Sequence, residues 1–308
     1  MTTASLHGLY AAVMTPMRDD LSCDTAHLAA HCRSLLDEGC HGVSLFGTTG
    51  EGPALTADER AQGLEAVLAN GIAPHCVLPG TGCAALPDAV RLTRHAAGLG
   101  CKTVLVMPPF FFKDVSEDGV VAYYSALIER VGDPALHVII YNFPAVTGVW
   151  VRETAVARLT AAFPGVIAGV KDSSGDWAYV SALLKQFPQL AVFTGWEALV
   201  PKLVTAGGAG NISGLANVIP GLLRRLYETR PTSASDPLLA GVSRLVEEVC
   251  KHPVIPAIKA VAATLREWPS WRNMRAPLVP LSAEAERSLV TTFRRILDET
   301  NARNQTVA

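Results

Sequence analysis

The sequence lacks the features that mark several large classes of protein. Its seven cysteines are odd in number and form no C-x-x-C pair and no cluster with histidine, so neither a zinc site nor a disulfide framework is indicated. The formal net charge of −2 leaves no basic surface for nucleic acid. Only 18% of the residues are charged and 49% are hydrophobic, which is enough to bury a sizeable core. We therefore expect no nucleic-acid partner and a well-packed globular chain.

The sequence also lacks an apolar run long enough to span a bilayer. The most apolar window, residues 135–151, is interrupted by His137, Asn142 and Pro144. No basic segment precedes residues 6–14, and Pro16 soon ends that run, so we predict no signal peptide and no membrane partner. The predicted location is the cytoplasm, where the cysteines stay reduced and pack as small hydrophobic residues.

Eight short apolar runs alternate with helical patterns through the first 230 residues. The predicted strands are residues 8–14, 43–46, 75–78, 103–107, 137–141, 166–170, 190–194 and 210–213. Strict alternation at this count predicts an α/β fold, a TIM (β/α)8 barrel, in preference to a flavodoxin-like or Rossmann sheet. No G-x-G-x-x-G follows any of these strands, which argues against dinucleotide binding.

A polar, proline-flanked segment at residues 230–237 separates this alternating part from three further helical patterns. They cover about residues 238–250, 255–266 and 283–299 and predict a small helical extension packed on the barrel. We predict a barrel catalytic domain at 1–230 and a C-terminal helical domain at 231–308. The residues from 301 onward are expected to fray.

The sixth predicted strand ends on a lysine. Residues 166–170 have the length and the β-branched content of a strand buried on both faces, and Lys171 follows them before a polar turn at 172–176. An amine at the rim of a sheet is partly desolvated, which disfavours its ammonium form and makes the free amine available to attack a carbonyl carbon. The alternative is a lysine that caps the strand and reaches water.

Other strand ends carry groups that suit amine catalysis on a keto acid. The C-terminal ends of the strands face the active site of a TIM barrel. Thr48 and Thr49 lie between Gly47 and Gly50, and such a turn can present backbone N–H groups and hydroxyls to a carboxylate. Tyr141 could shuttle a proton to and from a carbinolamine oxygen. The alternatives are a plain glycine-rich loop and a tyrosine whose hydroxyl only anchors its strand.

Two competing sites are weaker. Lys113 follows three phenylalanines in a loop and is the only serious rival among the other lysines. Asp172 and Asp176 could suggest a metal site, but no histidine or third carboxylate follows at ligand spacing, so we predict no metal.

Four motifs, each at a strand end and in register along the chain, together resemble the dihydrodipicolinate synthase / N-acetylneuraminate lyase family. They are Gly47-Thr-Thr-Gly-Glu51, Tyr141-Asn-Phe-Pro144, Gly169-Val-Lys-Asp172 and Gly207-Gly-Ala-Gly-Asn-Ile-Ser213. The resemblance implies a TIM barrel with a C-terminal helical domain, usually a homotetramer built as a dimer of dimers. It also implies a class I aldolase that uses a lysine imine and needs no metal or nucleotide cofactor.

The resemblance also implies roles for individual residues. Lys171 matches the lysine that forms the Schiff base with pyruvate or another 2-keto acid, and Tyr141 matches the tyrosine that relays protons. Thr48 and Thr49 match the pair that binds the keto-acid carboxylate, and Thr48 also belongs to the relay. The remaining residues expected around the bound keto acid are Gly47, Gly195 and Ile212.

Two departures from the family pattern bear on the substrate. True dihydrodipicolinate synthases carry an arginine, which grips the carboxylate of aspartate semialdehyde, where this chain has Val146. The interface tyrosine of the family is replaced by Phe111 or Phe112, and we expect Val146 and Phe112 beside the substrate. We therefore predict a metal-independent lyase that joins or separates pyruvate and an aldehyde, acting on a 2-keto-3-deoxy acid.

Three alternatives to that function stay open at this point. The chain could be the synthase itself, with another residue contacting the second carboxylate. It could be a dehydratase or deaminase of a keto-deoxy acid that uses the same imine. It could also be a keto-acid-binding regulatory protein without turnover, although the lysine, tyrosine and threonine pair favour an enzyme.

Overall fold

Parallel strands form one sheet in the computed structural model, which describes residues 6–231, 233 and 236–305, with side chains to 303. The strands in these ranges are β1 (Gly8–Ala12), β2 (Gly42–Leu45), β3 (Val77–Pro79), β4 (Thr103–Val106), β5 (His137–Asn142), β6 (Ile167–Asp172), β7 (Ala191–Thr194) and β8 (Gly210–Ser213). Their order in the sheet is β3-β2-β1-β8-β7-β6-β5-β4, so β1 pairs with both β2 and β8. The first and last strands of the sequence are therefore neighbours, as in a barrel.

The two ends of the sheet meet between β3 and β4. A parallel bridge pairs Gly80 with Leu105, and the Thr81 N–H donates a hydrogen bond of 2.9 Å to the Leu105 carbonyl. A glycine is needed at the junction because a Cβ on Gly80 would lie 2.9 Å from the Phe46 carbonyl oxygen. The predicted (β/α)8 barrel is confirmed.

Helices follow the strands and cover the outside of the barrel. They are α1 (Thr25–Asp37), α2 (Ala57–Ala69), α3 (Leu86–Gly98), α4 (Glu117–Val131), α5 (Pro144–Thr147), α6 (Glu153–Ala162), α7 (Trp177–Gln186), α8 (Val200–Thr205) and α9 (Pro220–Thr229). The C-terminal extension contains α10 (Pro237–Cys250), α11 (Val254–Leu265) and α12 (Ala283–Gln305). Local signals start several of them: Thr56 and Glu59 form a reciprocal capping box at α2, and Ser116 accepts from the Gly119 N–H at α4. Within the described residues, none of the helices combines the length and the apolar character required to cross a bilayer.

The structure differs from several expected element bounds. Strand β3 begins at Val77 instead of residue 75, because residues 74–76 form a 3₁₀ turn that starts on a proline. Strand β1 ends at Ala12 instead of residue 14, and β6 extends to Asp172 instead of residue 170. Helix α12 continues to Gln305, where the sequence predicted fraying from residue 301, and Thr300 is buried against α10 at Gly241. Part of the predicted linker and part of the predicted tail lie outside the described residues. These parts are residues 232, 234 and 235 of the linker and residues 306–308 of the tail. The boundary between the two domains stays a prediction.

The barrel has a core inside the sheet and a second core between sheet and helices. On β5, Ile139 and Tyr141 belong to the inner cluster and Val138 and Ile140 to the outer one, as the two-residue period of a strand requires. Tyr141 is the direct cross-strand partner of Lys171 on β6. Neighbouring partners on a sheet point to the same face, so both side chains point into the barrel.

Polar and aromatic contacts hold the C-terminal helices on the barrel. Arg266, which follows α11, donates to the Asn217 carbonyl at 2.6 Å and forms two hydrogen bonds with Glu38 at 2.7 and 3.0 Å. Beside this contact, buried His31 on α1 has Nε2 3.0 Å from the Asn217 Oδ1 and packs against the ring of Trp271. These contacts join the barrel wall to the segment that carries α11.

We expect His31 to make stability fall as the pH is lowered. Burial, and next the positive charge of Arg266, lower the pKa of His31 to about 3, with His27 acting in the same direction and Glu38 opposing it. An unfolded histidine titrates near 6.5, so between those two values the unfolded chain holds a proton that the folded chain lacks. The folded state then loses on the order of 5 kcal/mol as the pH falls from about 6.5 to about 3.

The comparison of His31→Gln with the unaltered chain isolates this effect. Glutamine keeps a donor for Asn217 but does not titrate. The free energy of unfolding of the His31→Gln variant, measured by urea titration, should therefore fall less steeply between pH 6 and pH 4 than that of the unaltered chain. The exposed His75 provides the control variant His75→Gln, which should leave the slope unchanged. Parallel pH profiles for His31→Gln and the unaltered chain would contradict the assignment.

Candidate active site

The buried lysine of β6 lies against an aromatic ring at the open end of the barrel. Lys171 is 5% exposed, and its Nζ lies 4.2 Å from the centroid of the Tyr141 ring. Within the described residues, no carboxylate forms an ion pair with this amine. Lys171 also lines the cavity described below and is not held in a structural ion pair, which is the arrangement that a nucleophilic amine needs.

Tyr141 links this amine to two hydroxyl groups. The Tyr141 hydroxyl lies 3.5 Å from Thr48 Oγ1 and 3.5 Å from Ser173 Oγ. These distances are at the long end of hydrogen bonding, and catalytic hydrogen bonds are often long before substrate binds and shorten in the reacting complex. The three oxygens can therefore form a path for a proton beside the lysine.

The turn after β2 presents backbone donors to the same cavity. Its conformation is fixed by hydrogen bonds from the Glu51 N–H to the Thr48 carbonyl at 3.0 Å and from the Gly52 N–H to the Gly47 carbonyl at 3.1 Å. Over the ranges that the structure describes, the N–H groups of Thr48 and Thr49 have no acceptor. Successive free N–H groups beside two hydroxyls form a binding site for a carboxylate.

A cavity of about 370 Å³ opens at the carboxyl ends of the strands. The predicted site residues that line it are Thr48, Thr49, Tyr141, Val146, Lys171, Gly195 and Ile212. Gly47 and Phe112 do not line it. The rival Lys113 donates to the carbonyls of Phe110 and Thr147 and does not line it either. The structure thus brings together seven of the nine predicted site residues.

Sequence reasoning missed a buried carboxyl group in this cavity. Glu197, two residues beyond the strand-end Gly195, lines the cavity and accepts a hydrogen bond of 2.5 Å from the Ser213 hydroxyl. Burial raises the pKa of Glu197, while the Ser213 hydrogen bond and the charge of Lys171 act in the opposite direction. Its position just after a strand end is the signal that the sequence offers for it.

Hydrogen bonds behind the site fix the ends of β5 and β6. Asn142 donates to the buried Asp172 at 2.8 Å and accepts from the Val151 N–H at 3.0 Å. Asp172 also accepts from the Ser174 N–H and hydroxyl. Burial raises the pKa of Asp172, and these hydrogen bonds oppose the rise. Among the described residues, no group of three or more His, Cys, Asp or Glu side chains is placed to hold a metal ion.

A fully buried ion pair supports the turn from the other side. Lys259 of α11 contacts the carboxylate of Glu51, and its Nζ donates to the Asn273 carbonyl at 2.8 Å. Burial lowers the pKa of Lys259, whereas the charge of Glu51 and its hydrogen bond raise it. Glu51 adjoins Gly50, so the pair connects the C-terminal extension directly to the turn that carries Thr48 and Thr49.

Comparison with known proteins gives matches over nearly the whole chain. Residues 5–296 match the model of the dihydrodipicolinate synthetase family. An uncharacterized DapA-like lyase of Chloroflexus aurantiacus is 36% identical over 299 residues, which cover 96% of this chain and 98% of that protein. The crystal structure of dihydrodipicolinate synthase from Agrobacterium tumefaciens is 37% identical, with a TM-score of 0.89 over 94% of this chain and 99% of that one. A variant of the Sulfolobus solfataricus 2-keto-3-deoxygluconate aldolase has a TM-score of 0.86 over 96% of this chain and 98% of its own, but at 22% identity this likeness concerns the fold alone.

Proposed function

The chain belongs to the dihydrodipicolinate synthetase family, and we propose that it is a class I lyase whose Lys171 forms a Schiff base with pyruvate. It makes or breaks a carbon–carbon bond between pyruvate and an aldehyde. The observation that carries the proposal is the Lys171 amine beside the Tyr141 ring, in a cavity whose wall includes the donors of Thr48 and Thr49. An amine, a proton path and an anion site are the three groups that this chemistry needs.

Each group has a step in the reaction. The turn holds the pyruvate carboxylate, which directs the keto carbon at Nζ of Lys171. The amine adds to that carbon, and the carbinolamine oxygen leaves as water after it receives a proton along the path of Tyr141 and Thr48. The protonated imine then accepts the electrons of a C3–H bond while the C3 proton passes to the path of Tyr141 and Thr48, so an enamine forms. No metal or nucleotide is required, and we propose that the enzyme uses none.

Borohydride reduction in the presence of pyruvate tests the imine. We expect a stable pyruvate adduct on one lysine, found by intact mass and located at Lys171 by peptide mapping. Lys113→Arg is the control, because Lys113 contacts loop carbonyls outside the cavity, and it should be labelled like the unaltered chain. Well-folded protein that gives no adduct, or an adduct elsewhere, would overturn the proposed function.

The synthase reaction is the second candidate, supported by the similarity to dihydrodipicolinate synthase from Agrobacterium tumefaciens. In that reaction the aldehyde is aspartate semialdehyde, whose carboxylate calls for a cation in the outer cavity. Val146 lies in the wall of the cavity and is half exposed, where it offers no charge. This favours a different aldehyde, and product analysis distinguishes the two reactions from dehydration or deamination, which would yield a new keto acid.

We also propose that a second copy of the chain covers the loop after β4. Phe111 and Phe112 are 74% and 72% exposed and pack edge to face. Apolar side chains this exposed and adjacent are typical of an interface. The full assembly proposed is a homotetramer, and the role of Phe112 beside a substrate is proposed across this interface.

The double variant Phe111→Asp/Phe112→Asp should therefore lower the oligomeric state. Light scattering after size-exclusion chromatography at micromolar concentration should show a smaller species than the unaltered chain, because charges at a buried apolar contact are costly. Leu21→Asn, at an exposed apolar residue in another loop, is the control and should leave the mass unchanged. An unaltered chain that is already monomeric, or an unchanged mass in the double variant, would contradict the proposal.

A further inference from the structure

The cavity that holds Lys171 has a polar buried end and an apolar mouth. Lys171 and Glu197 are the only charged residues in its wall, within the described part of the chain, and both are buried. At the mouth, Val146 is 51% exposed, Val254 is 45% exposed and Trp196 is 36% exposed. The chemistry of the wall therefore changes from the reacting end to the opening.

The C-terminal extension supplies most of the apolar wall. Nine of the lining residues fall between residues 246 and 278, and eight of them have hydrocarbon side chains while the ninth, Cys250, has a thiol. Burial raises the pKa of the Cys250 thiol, which therefore stays uncharged. Neither an arginine nor a histidine contributes to this wall in the described residues. The part of a substrate that extends beyond the pyruvate site thus faces hydrocarbon.

Such a wall discriminates strongly between classes of aldehyde. Hydroxyl groups or a carboxylate placed against the buried side chains of Val249 and Ile258 would lose water without gaining a hydrogen-bond partner, which costs about 1–3 kcal/mol for each neutral group and more for a charge. An apolar group placed there gains about 25 cal/mol for each Å² removed from water. Both effects favour an apolar substituent over a polar one at this wall.

We propose that the aldehyde partner of pyruvate carries an apolar group, either an aromatic ring or a branched hydrocarbon, in place of a polyol chain or a second carboxylate. This inference rests on the proposed Schiff-base function. The cavity of about 370 Å³ opens to solvent and is larger than pyruvate, which has six non-hydrogen atoms, so it leaves room for a further group the size of a phenyl ring.

The reaction would join the two fragments without an oxidant or reductant. The π electrons of the enamine form a bond from C3 of pyruvate to the aldehyde carbon, while the electrons of the aldehyde C=O bond move to its oxygen, which takes up a proton. Water then adds to the regenerated iminium, and Lys171 leaves as the amine. The product is a 4-hydroxy-2-oxo acid with an apolar substituent on C4, and cleavage is the reverse.

The test compares three aldehydes with pyruvate: benzaldehyde, glyceraldehyde and succinic semialdehyde. We expect kcat/KM for benzaldehyde to exceed that for the other two by at least tenfold, since one apolar contact alone discriminates by about 10–200-fold. Val254→Asp should lower kcat/KM for benzaldehyde at least tenfold. Val254 is half exposed at the first position of α11, where an aspartate is compatible with folding. Val279→Asp, at an exposed valine outside the cavity, is the matched control and should change nothing.

Borohydride trapping of pyruvate distinguishes the two levels of the argument, because it does not require an aldehyde. One outcome is that pyruvate is trapped at Lys171 but kcat/KM for glyceraldehyde or succinic semialdehyde equals or exceeds that for benzaldehyde. That outcome would overturn this inference and leave the proposed function standing. Equal losses in Val254→Asp and Val279→Asp would also overturn it. Failure to trap pyruvate would overturn both.

Discussion

Lys171→Arg should lose lyase activity by a factor on the order of 10⁴ or more, because arginine does not deprotonate in proteins and cannot add to a carbonyl carbon. The guanidinium keeps the positive charge and the hydrocarbon stem, so the loss measures nucleophilicity and not charge. The variant should give no adduct in borohydride trapping with pyruvate. Steady-state kinetics and intact mass provide the two measurements.

Lys171→Met is the companion variant, since arginine is larger than lysine and the site is buried. Methionine fits an apolar contact with the Tyr141 ring, and circular dichroism should show both variants folded. Lys113→Arg should retain normal turnover and trapping. A folded Lys171→Met protein with activity within tenfold of the unaltered chain would show that another group performs the chemistry.

Much of the barrel and its reacting groups could be predicted because they depend on local patterns. A buried strand in a parallel sheet is a short apolar run, and Lys171 ends such a run. In a barrel, strand ends converge, so Tyr141 and Thr48 could be placed near Lys171 before any contact was known. The capping box of Thr56 and Glu59 was equally visible, since it is formed within four residues.

The parts that could not be predicted depend on contacts between distant segments. Glu197 follows a strand end, but only its burial beside Ser213 indicates a role in the cavity. The apolar wall comes from α10, α11 and the segment beyond them, whose hydrophobic residues have the same pattern as any helix packed on a core. Which of those residues face the cavity is decided by how the extension docks on the barrel, through contacts such as Arg266 to Asn217.

The ion pair of Glu51 and Lys259 is the second change with a large expected effect. Both side chains are fully buried, so Lys259→Met leaves the carboxylate of Glu51 without a partner. Removing one partner of a buried pair costs about 3–5 kcal/mol, which urea unfolding should detect. Glu51 adjoins the turn of Thr48 and Thr49, so we also expect KM for pyruvate to rise more than kcat falls.

The double variant Glu51→Gln/Lys259→Met separates the charge from the packing. It removes both charges and nearly preserves the shape, so it should recover much of the stability that Lys259→Met loses. Arg295→Met, in a partly exposed pair with Glu299, is the control and should cost less than about 1 kcal/mol. If the double variant is as stable as the unaltered chain but still binds pyruvate weakly, the pair serves to position the turn. If stability and KM recover together, the turn needs only a neutral, well-packed contact with α11. A Lys259→Met protein with unchanged stability and KM would contradict both roles.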